Sequence, residues 1–273
     1  MNSTIKTLAI ALAMGLSVSG AFAAATASDT AGNYTTSWSA SSTPNLGSGF
    51  GAWSVPNNNA NPPYAGTYLD LASYGNPDAV NGGVASWGTY ANGAPNAFVD
   101  LSRAFNTGGS GSANLYNQTF SFAIGSGGIG GTGSSIGAAV GTAFNLGYAG
   151  GGPDNFTLSV DGGAAAAIPV VFANLNTGLE IALAVSGPLN STTEGYTLTL
   201  SPFAGGPAYY SVSGTFDSSA YNTSSFTFSD NNTSNDQFLN DLNITAESVP
   251  EPASMVLFGV SGLTALLAIR RRK

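Results

Sequence analysis

Apolar and polar positions alternate with a period of two through the middle of the chain. Phe120, Phe122 and Ile124 alternate with smaller residues, as do Phe156, Leu158 and Val160, and then Leu179, Ile181, Leu183 and Val185. Tyr196, Leu198 and Leu200 alternate with threonines, and Tyr210/Val212, Phe226/Phe228 and Leu242/Ile244 continue the pattern. Period two places every second side chain on one face of a strand. Turn chemistry separates the runs at Asp161-Gly162, Gly187-Pro188 and Gly205-Gly206-Pro207. Many short strands with Gly/Pro turns predict an all-β fold, an antiparallel β-sandwich of jelly-roll type. The stretch 43–96 sets Trp53, Tyr64, Tyr68, Tyr74 and Trp87 among glycines and prolines. It reads as long loops and irregular strands wrapping one end of the sandwich. The glycine-rich segment 125–137 lacks the lysine and following helix of a phosphate-binding loop and reads as an inter-strand loop.

The two ends break this pattern. Lys6 precedes an apolar run at 8–18, and Ala21-Phe22-Ala23 follows. That is the layout of a secretory signal peptide, 1–23, cut by signal peptidase after Ala23, with Ala25 as second choice. At the other end Val249-Pro250-Glu251-Pro252 leads into an uncharged apolar run, 253–269, and then Arg270, Arg271, Arg272 and Lys273. At 1.5 Å per residue the run makes a helix of about 25 Å, long enough for a thin bilayer. The four cations stay cytoplasmic by the positive-inside rule, which puts the body outside. The expected organisation is therefore signal helix 1–23, sandwich 24–247 and sorting segment 248–273.

The Val249–Pro252 tetrapeptide, the small-residue apolar helix and the basic end resemble the PEP-CTERM sorting signal. The resemblance covers about the last 25 residues. It implies an exported bacterial protein, an inner-membrane-anchored precursor, and recognition by an exosortase that cuts near the motif. Delivery to the cell surface or the extracellular exopolysaccharide matrix follows from the same resemblance. Each proline fixes φ and lacks an N–H, so the motif stays extended and outside the helix below it. Glu251 is then the group that a cation of the processing enzyme reads. A more diffuse resemblance runs from Arg103-Ala104-Phe105 through Thr119–Phe122, Gly137–Val140 and Asn155–Leu158 to 238–244. It is similar to exported bacterial sandwiches of the concanavalin-like lectin and laminin-G kind, which implies the fold and, more faintly, sugar binding.

Charge and composition narrow the chemistry. The chain has no cysteine and no histidine, so disulfides, thiol nucleophiles, Ser-His-Asp triads and His/Cys metal sites are excluded. Thirteen of its fourteen acids but one of its six basic residues, Arg103, lie in 24–247, giving that region a formal charge of −12. Nucleic acid is excluded as a partner because it needs a basic footprint.

Two carboxylates serve glycoside hydrolysis when about 5 to 9.5 Å apart. Glu180 and Glu194 flank one hairpin and are the candidate pair. Asp230, Asn232 and Asp236 offer hard oxygens at short spacing and are the candidate calcium ligands, calcium being the one cofactor the chain suggests. Asn/Asp turn formation explains the same residues. Asp154-Asn155 is a second, poorer cluster. Trp38, Trp53, Trp87 and Tyr64 either stack on sugar rings or fill the core. The expected function is that of a non-catalytic surface or matrix protein with a structural or exopolysaccharide-binding role. The alternative is a carboxylate-dependent glycan-processing enzyme.

Overall fold

The computed structural model describes residues 24–34, 38, 45–56, 65–74, 80–92, 97–105, 115–188, 192–231 and 236–248. Both expected signals, including Ala21, Ala23, Val249–Pro252, 253–269 and Arg270–Lys273, lie outside the described residues. Among the described residues no helix is long and apolar enough to cross a membrane.

Among the described residues fifteen strands run in chain order: β1 (Ala24–Asp29), β2 (Phe50–Ser54), β3 (Ala65–Leu71), β4 (Ala85–Ala91), β5 (Phe98–Phe105), β6 (Leu115–Ser126), β7 (Ser135–Val140) and β8 (Phe144–Ala149). They continue as β9 (Thr157–Val160), β10 (Ala166–Ala167), β11 (Leu179–Pro188), β12 (Glu194–Pro202), β13 (Tyr210–Phe216), β14 (Ser225–Asn231) and β15 (Gln237–Ser248). A five-residue helix, α1 (Phe172–Asn176), precedes β11. One sheet has the order β13-β12-β11-β6-β15-β4-β3, with β1 also on β15; the other has β10-β9-β8-β7-β14-β5-β2. The pairings β11–β12, β11–β6, β14–β7 and β7–β8 are antiparallel, as in both sheets generally, so the fold is the expected sandwich.

The alternation explains the core. Phe120, Phe122 and Ile124 of β6, Leu179, Ile181, Leu183 and Val185 of β11, and Phe226 and Phe228 of β14 are all buried. Phe122 meets Phe226 and Phe228 at ring distances of 5.5 and 5.1 Å across the two sheets. Side chains of this size, removed from water on the inner faces of both sheets, supply the main stabilising term.

Two sequence expectations change. Gly187-Pro188 does not turn: β11 continues through it, and Pro188 pairs with Tyr116 after a register shift beyond Val185. Proline fits there because a bulge has already interrupted the ladder. The stretch 43–96 also contains regular strands, and β3 and β4 pair over seven residues. Tyr68 lies opposite Gly88 and Tyr90 opposite Gly66. A Cβ on either glycine would come within 2.5 Å of the facing tyrosine ring, so each glycine is the space its neighbour's ring occupies. Glycine-tyrosine pairing hides the usual β-branched signature of a strand.

β15 bonds to β4 through Gln237–Leu239 and to β1 through Leu242–Ala246. At the changeover Asn240 is buried, and Asp241 takes a positive φ of 51°. The Asn240 Oδ1 accepts from Thr30 Oγ1 and the Ala31 N–H, both at 2.9 Å, while its Nδ2 donates to the Val80 and Ala85 carbonyls. One amide thus satisfies the backbone groups that the switch between partners leaves unpaired.

Candidate functional site

The outer face of the second sheet carries a trough. On β14, β7, β8 and β9 the residues Phe226/Phe228, Ile136/Ala138, Leu146 and Leu158 point inward, so their neighbours point out. Register then aligns Asp100, Ser229, Gly137, Gly147, Thr157 and Ala167 in one row across the strands. Gly137 and Gly147 are direct partners at its centre. Two side chains are missing from a face of small, mostly Ser/Thr/Asn/Ala residues, and the gap is the floor of a hollow of about 470 Å³, the size of a small-ligand site.

The walls carry no charged side chain and mix polar groups with the apolar surfaces of Tyr148, Ala149, Ala165 and Ala167. Ser135, Asn145, Asn155, Thr157 and Ser229 line the trough, with Gly152-Pro153 at one rim. Asn231 Nδ2 donates to Ser135 Oγ at 3.4 Å, and Thr157 Oγ1 donates to the Gly147 carbonyl at 3.3 Å. The rim is held from below: the Asp154 carboxylate accepts from Tyr148 Oη at 2.8 Å and from the Phe172 N–H at 2.9 Å. The Phe172 N–H bond, then the Tyr148 bond, lower the Asp154 pKa; burial, then Asp154 itself, push Tyr148 up to about 12. Gly150 and Gly151 let the rim loop approach the β6–β7 loop, because a Cβ on Gly150 would stand 2.1 Å from the Gly130 carbonyl oxygen.

The trough does not pair carboxylates. Asp100 ends its central row, and burial raises the Asp100 pKa. Asp154 is beside β8, three strand spacings from β5, on the order of 14 Å. A glycosidase pair stands closer than that. Glu180 and Glu194 are not brought together either. Ser186 pairs with Gly195, which leaves the two glutamates at opposite ends of the β11–β12 hairpin, on the order of 23 Å apart along the strands. Glu180 is exposed, whereas Glu194 is buried and burial raises its pKa.

The calcium candidates take different places. Asp230 follows Phe226 and Phe228 on the inward side of β14, is fully buried, and accepts from Thr89 Oγ1 at 3.0 Å. Asp236 immediately precedes β15 and accepts from Tyr68 Oη. Burial raises the Asp236 pKa, with the Tyr68 bond opposing. Asn232 lies outside the described residues. Among the described residues no group of three or more Asp/Glu side chains converges.

Trp38, Trp53 and Trp87 fill the core rather than a sugar platform. Their exposures are 0, 5 and 0%, with Trp53 in edge contact with Trp38 at 5.4 Å and with Trp87 at 5.1 Å. Tyr64 lies outside the described residues. Arg103 is also interior. It ion-pairs with Asp29, donates to the Gly51 and Leu46 carbonyls, Asn45 Oδ1 and Tyr34 Oη, and lies over the Phe50 and Trp53 rings. The lone cation of the body is therefore a structural pin, and no positive charge reaches the trough.

The outer face of the first sheet is a flat field of small side chains. Thr119, Ala184, Thr197 and Ser213 form one row and Ser121, Ala182, Thr199 and Ser211 the next. A hollow of about 530 Å³ lies on it, lined by Asn117, Thr119, Ala184, Ser186, Thr197 and Ser213.

Residues 248–273 match the PEP-CTERM protein-sorting motif. A comparison with curated proteins finds no match. Solved structures similar to the chain include lectin I-B4 from Griffonia simplicifolia in its metal-free form, at 9% identity and TM-score 0.45, covering 81% of this chain and 99% of that one. The catalytic domain of a GH131 β-glucanase from Podospora anserina is similar at 14% identity and TM-score 0.41, covering 65% and 78%. The family 131 glycoside hydrolase domain from Coprinopsis cinerea is similar at 14% and 0.42, covering 68% and 80%.

Proposed function

We propose that this exported protein, carrying a sorting motif that an exosortase processes, holds a neutral glycan of the extracellular matrix in the trough and does not cleave it. The observation that carries the reading is the Gly137–Gly147 floor between uncharged amides and hydroxyls, with alanines and Tyr148 beside them. Amide and hydroxyl groups donate and accept in the directions a polyol needs, and a strip without side chains lets a ring approach the sheet closely. The charge of −12 on 24–247 disfavours polyanionic chains, so the ligand class is an uncharged polysaccharide. Delivery to the cell surface or matrix places the trough where such chains are, and the C-terminal anchor is transient.

The test is to incubate the protein with the exopolysaccharide of its own bacterium and measure both retention and reducing ends. Retention without new reducing ends supports the reading. New reducing ends that vanish on Glu180→Gln support the carboxylate enzyme instead, and no retention removes the binding role.

A further inference from the structure

Among the described residues five strands end the two sheets: β13, β3 and β1 in one, β10 and β2 in the other; β1 carries the buried Asp29 and is bridged by Ser48 at Ser28. A free strand edge is a template for another strand unless something blunts it. β10 has two residues, with Pro169 two positions beyond it. β2 has five, its register breaks between Phe50 and Trp53, and its Gly51 carbonyl accepts from Arg103. β3 carries the buried carboxylate of Asp70. β13 has none of these devices. It is seven residues long, Tyr-Ser-Val-Ser-Gly-Thr-Phe, with no charge and no proline, and Ser211, Ser213, Gly214 and Thr215 are exposed. Among the described residues it pairs only with β12.

We propose that β13 is a self-association edge, pairing antiparallel with β13 of a second copy of this chain. The sequence of the strand is self-complementary about Ser213. Centred there, Ser211 meets Thr215 and Tyr210 meets Phe216 across the dyad, while Val212 meets Gly214. Hydroxyl pairs are favourable cross-strand neighbours, Phe216 being already buried in its own core, and a two-fold axis needs the same patch on both copies. The same hydroxyl pairing already holds within the chain, where Thr197 and Ser213 approach to 2.8 Å and Thr199 and Ser211 to 3.2 Å. Charge selects this edge too. Two bodies of −12 repel, and β13 is a neutral strip at which they can touch. The pairing joins the two hydroxyl fields into one face running unbroken across both copies. A seven-residue edge makes a weak dimer in dilute solution, strengthened wherever the protein is concentrated on a surface.

The test uses the full chain in a non-ionic detergent, followed by sedimentation velocity over a concentration series. Wild type is compared with Ser213→Lys and Ser213→Glu, whose new charges are solvent-exposed in a single copy but face each other in the pair. The wild type is expected to associate with rising concentration. Each variant alone is expected to lose that association, and an equal mixture of the two to regain it through a Lys–Glu pair. A wild type that never associates overturns the proposal. So do variants that associate undiminished, which assigns the contact to another surface, and a mixture that stays dissociated. Unchanged melting temperatures of the variants confirm that the fold is intact; a variant that has lost its fold is replaced by Ser211→Lys against Thr215→Glu, which face each other in the same register.

Discussion

Arg103 and Asp29 form the one ion pair found among the described residues, and both side chains are wholly out of water. Asp29 lies in the first strand after the expected signal-peptide cut, and Arg103 in the opposite sheet, so the pair ties the start of the body across the sandwich. Asn33 Nδ2 at 2.8 Å and Tyr34 Oη at 2.7 Å also donate to the Asp29 carboxylate. A buried pair gains little over an apolar replacement, yet losing one partner strands the other's charge. Arg103→Met is expected to cost about 3–5 kcal/mol in denaturant unfolding, and Asp29→Asn with Arg103→Met to cost less than Arg103→Met alone. A single variant within about 0.5 kcal/mol of wild type, the range of an ordinary surface substitution, contradicts the role.

Gly147 separates binding from folding. Its φ is ordinary, and a Cβ there would meet Thr157 Oγ1 at 3.5 Å, a normal contact. Gly147→Ala is expected to stabilise the fold by roughly 0.5–1 kcal/mol, because glycine weakens a strand interior. The same methyl raises the trough floor and is expected to weaken glycan binding about tenfold or more. Gly147→Leu fills the floor and is expected to abolish binding. Thermal melts beside glycan retention give both readouts, and unchanged retention in the leucine variant takes the ligand out of the trough.

This glycine is not legible without the fold. Phe120–Ile124, Leu179–Val185 and Phe226–Phe228 declare themselves as strands because large apolar side chains repeat at every second position. Gly137 and Gly147 stand ten residues apart and become neighbours only through the β7–β8 register, which no periodicity reports. β3 and β4 are hard to see for a related reason, since their glycines serve facing tyrosine rings and dilute the alternation. The lone Arg103 is conspicuous in a sequence of acids, but its burial depends on Asp29, Asn45 and Gly51 converging from distant segments. The sorting segment is legible because tripeptide, apolar run and basic end are contiguous.

Asp236 gives the fold a pH dependence of known sign. Burial raises its pKa above the usual carboxylate value, the Tyr68 bond only partly opposing. The folded state therefore holds its proton to higher pH than the unfolded chain, so stability falls as pH rises from the unfolded pKa, near 4, through the folded one. Asp100 and Glu194, also raised by burial, act in the same direction. Asp236→Asn keeps an acceptor for Tyr68 and removes the titration. Its melting temperature is expected to fall less than that of wild type between pH 4 and pH 7, and parallel curves contradict the assignment.

Glu251 is the charged residue of the sorting tetrapeptide. Glu251→Gln in the native host is expected to leave the chain at precursor size if a cation of the exosortase reads this carboxylate. Normal processing of the glutamine variant assigns recognition to Val249, Pro250 and Pro252 and the apolar run instead.

Hydrogen–deuterium exchange with and without a neutral polysaccharide from the host locates the ligand directly. Slowed exchange confined to β7, β8 and residues 150–157, and lost in Gly147→Leu, is the result expected of a glycan lying on the Gly137–Gly147 floor. Protection on β11, β12 and β13 alone, or none at saturating glycan, contradicts it.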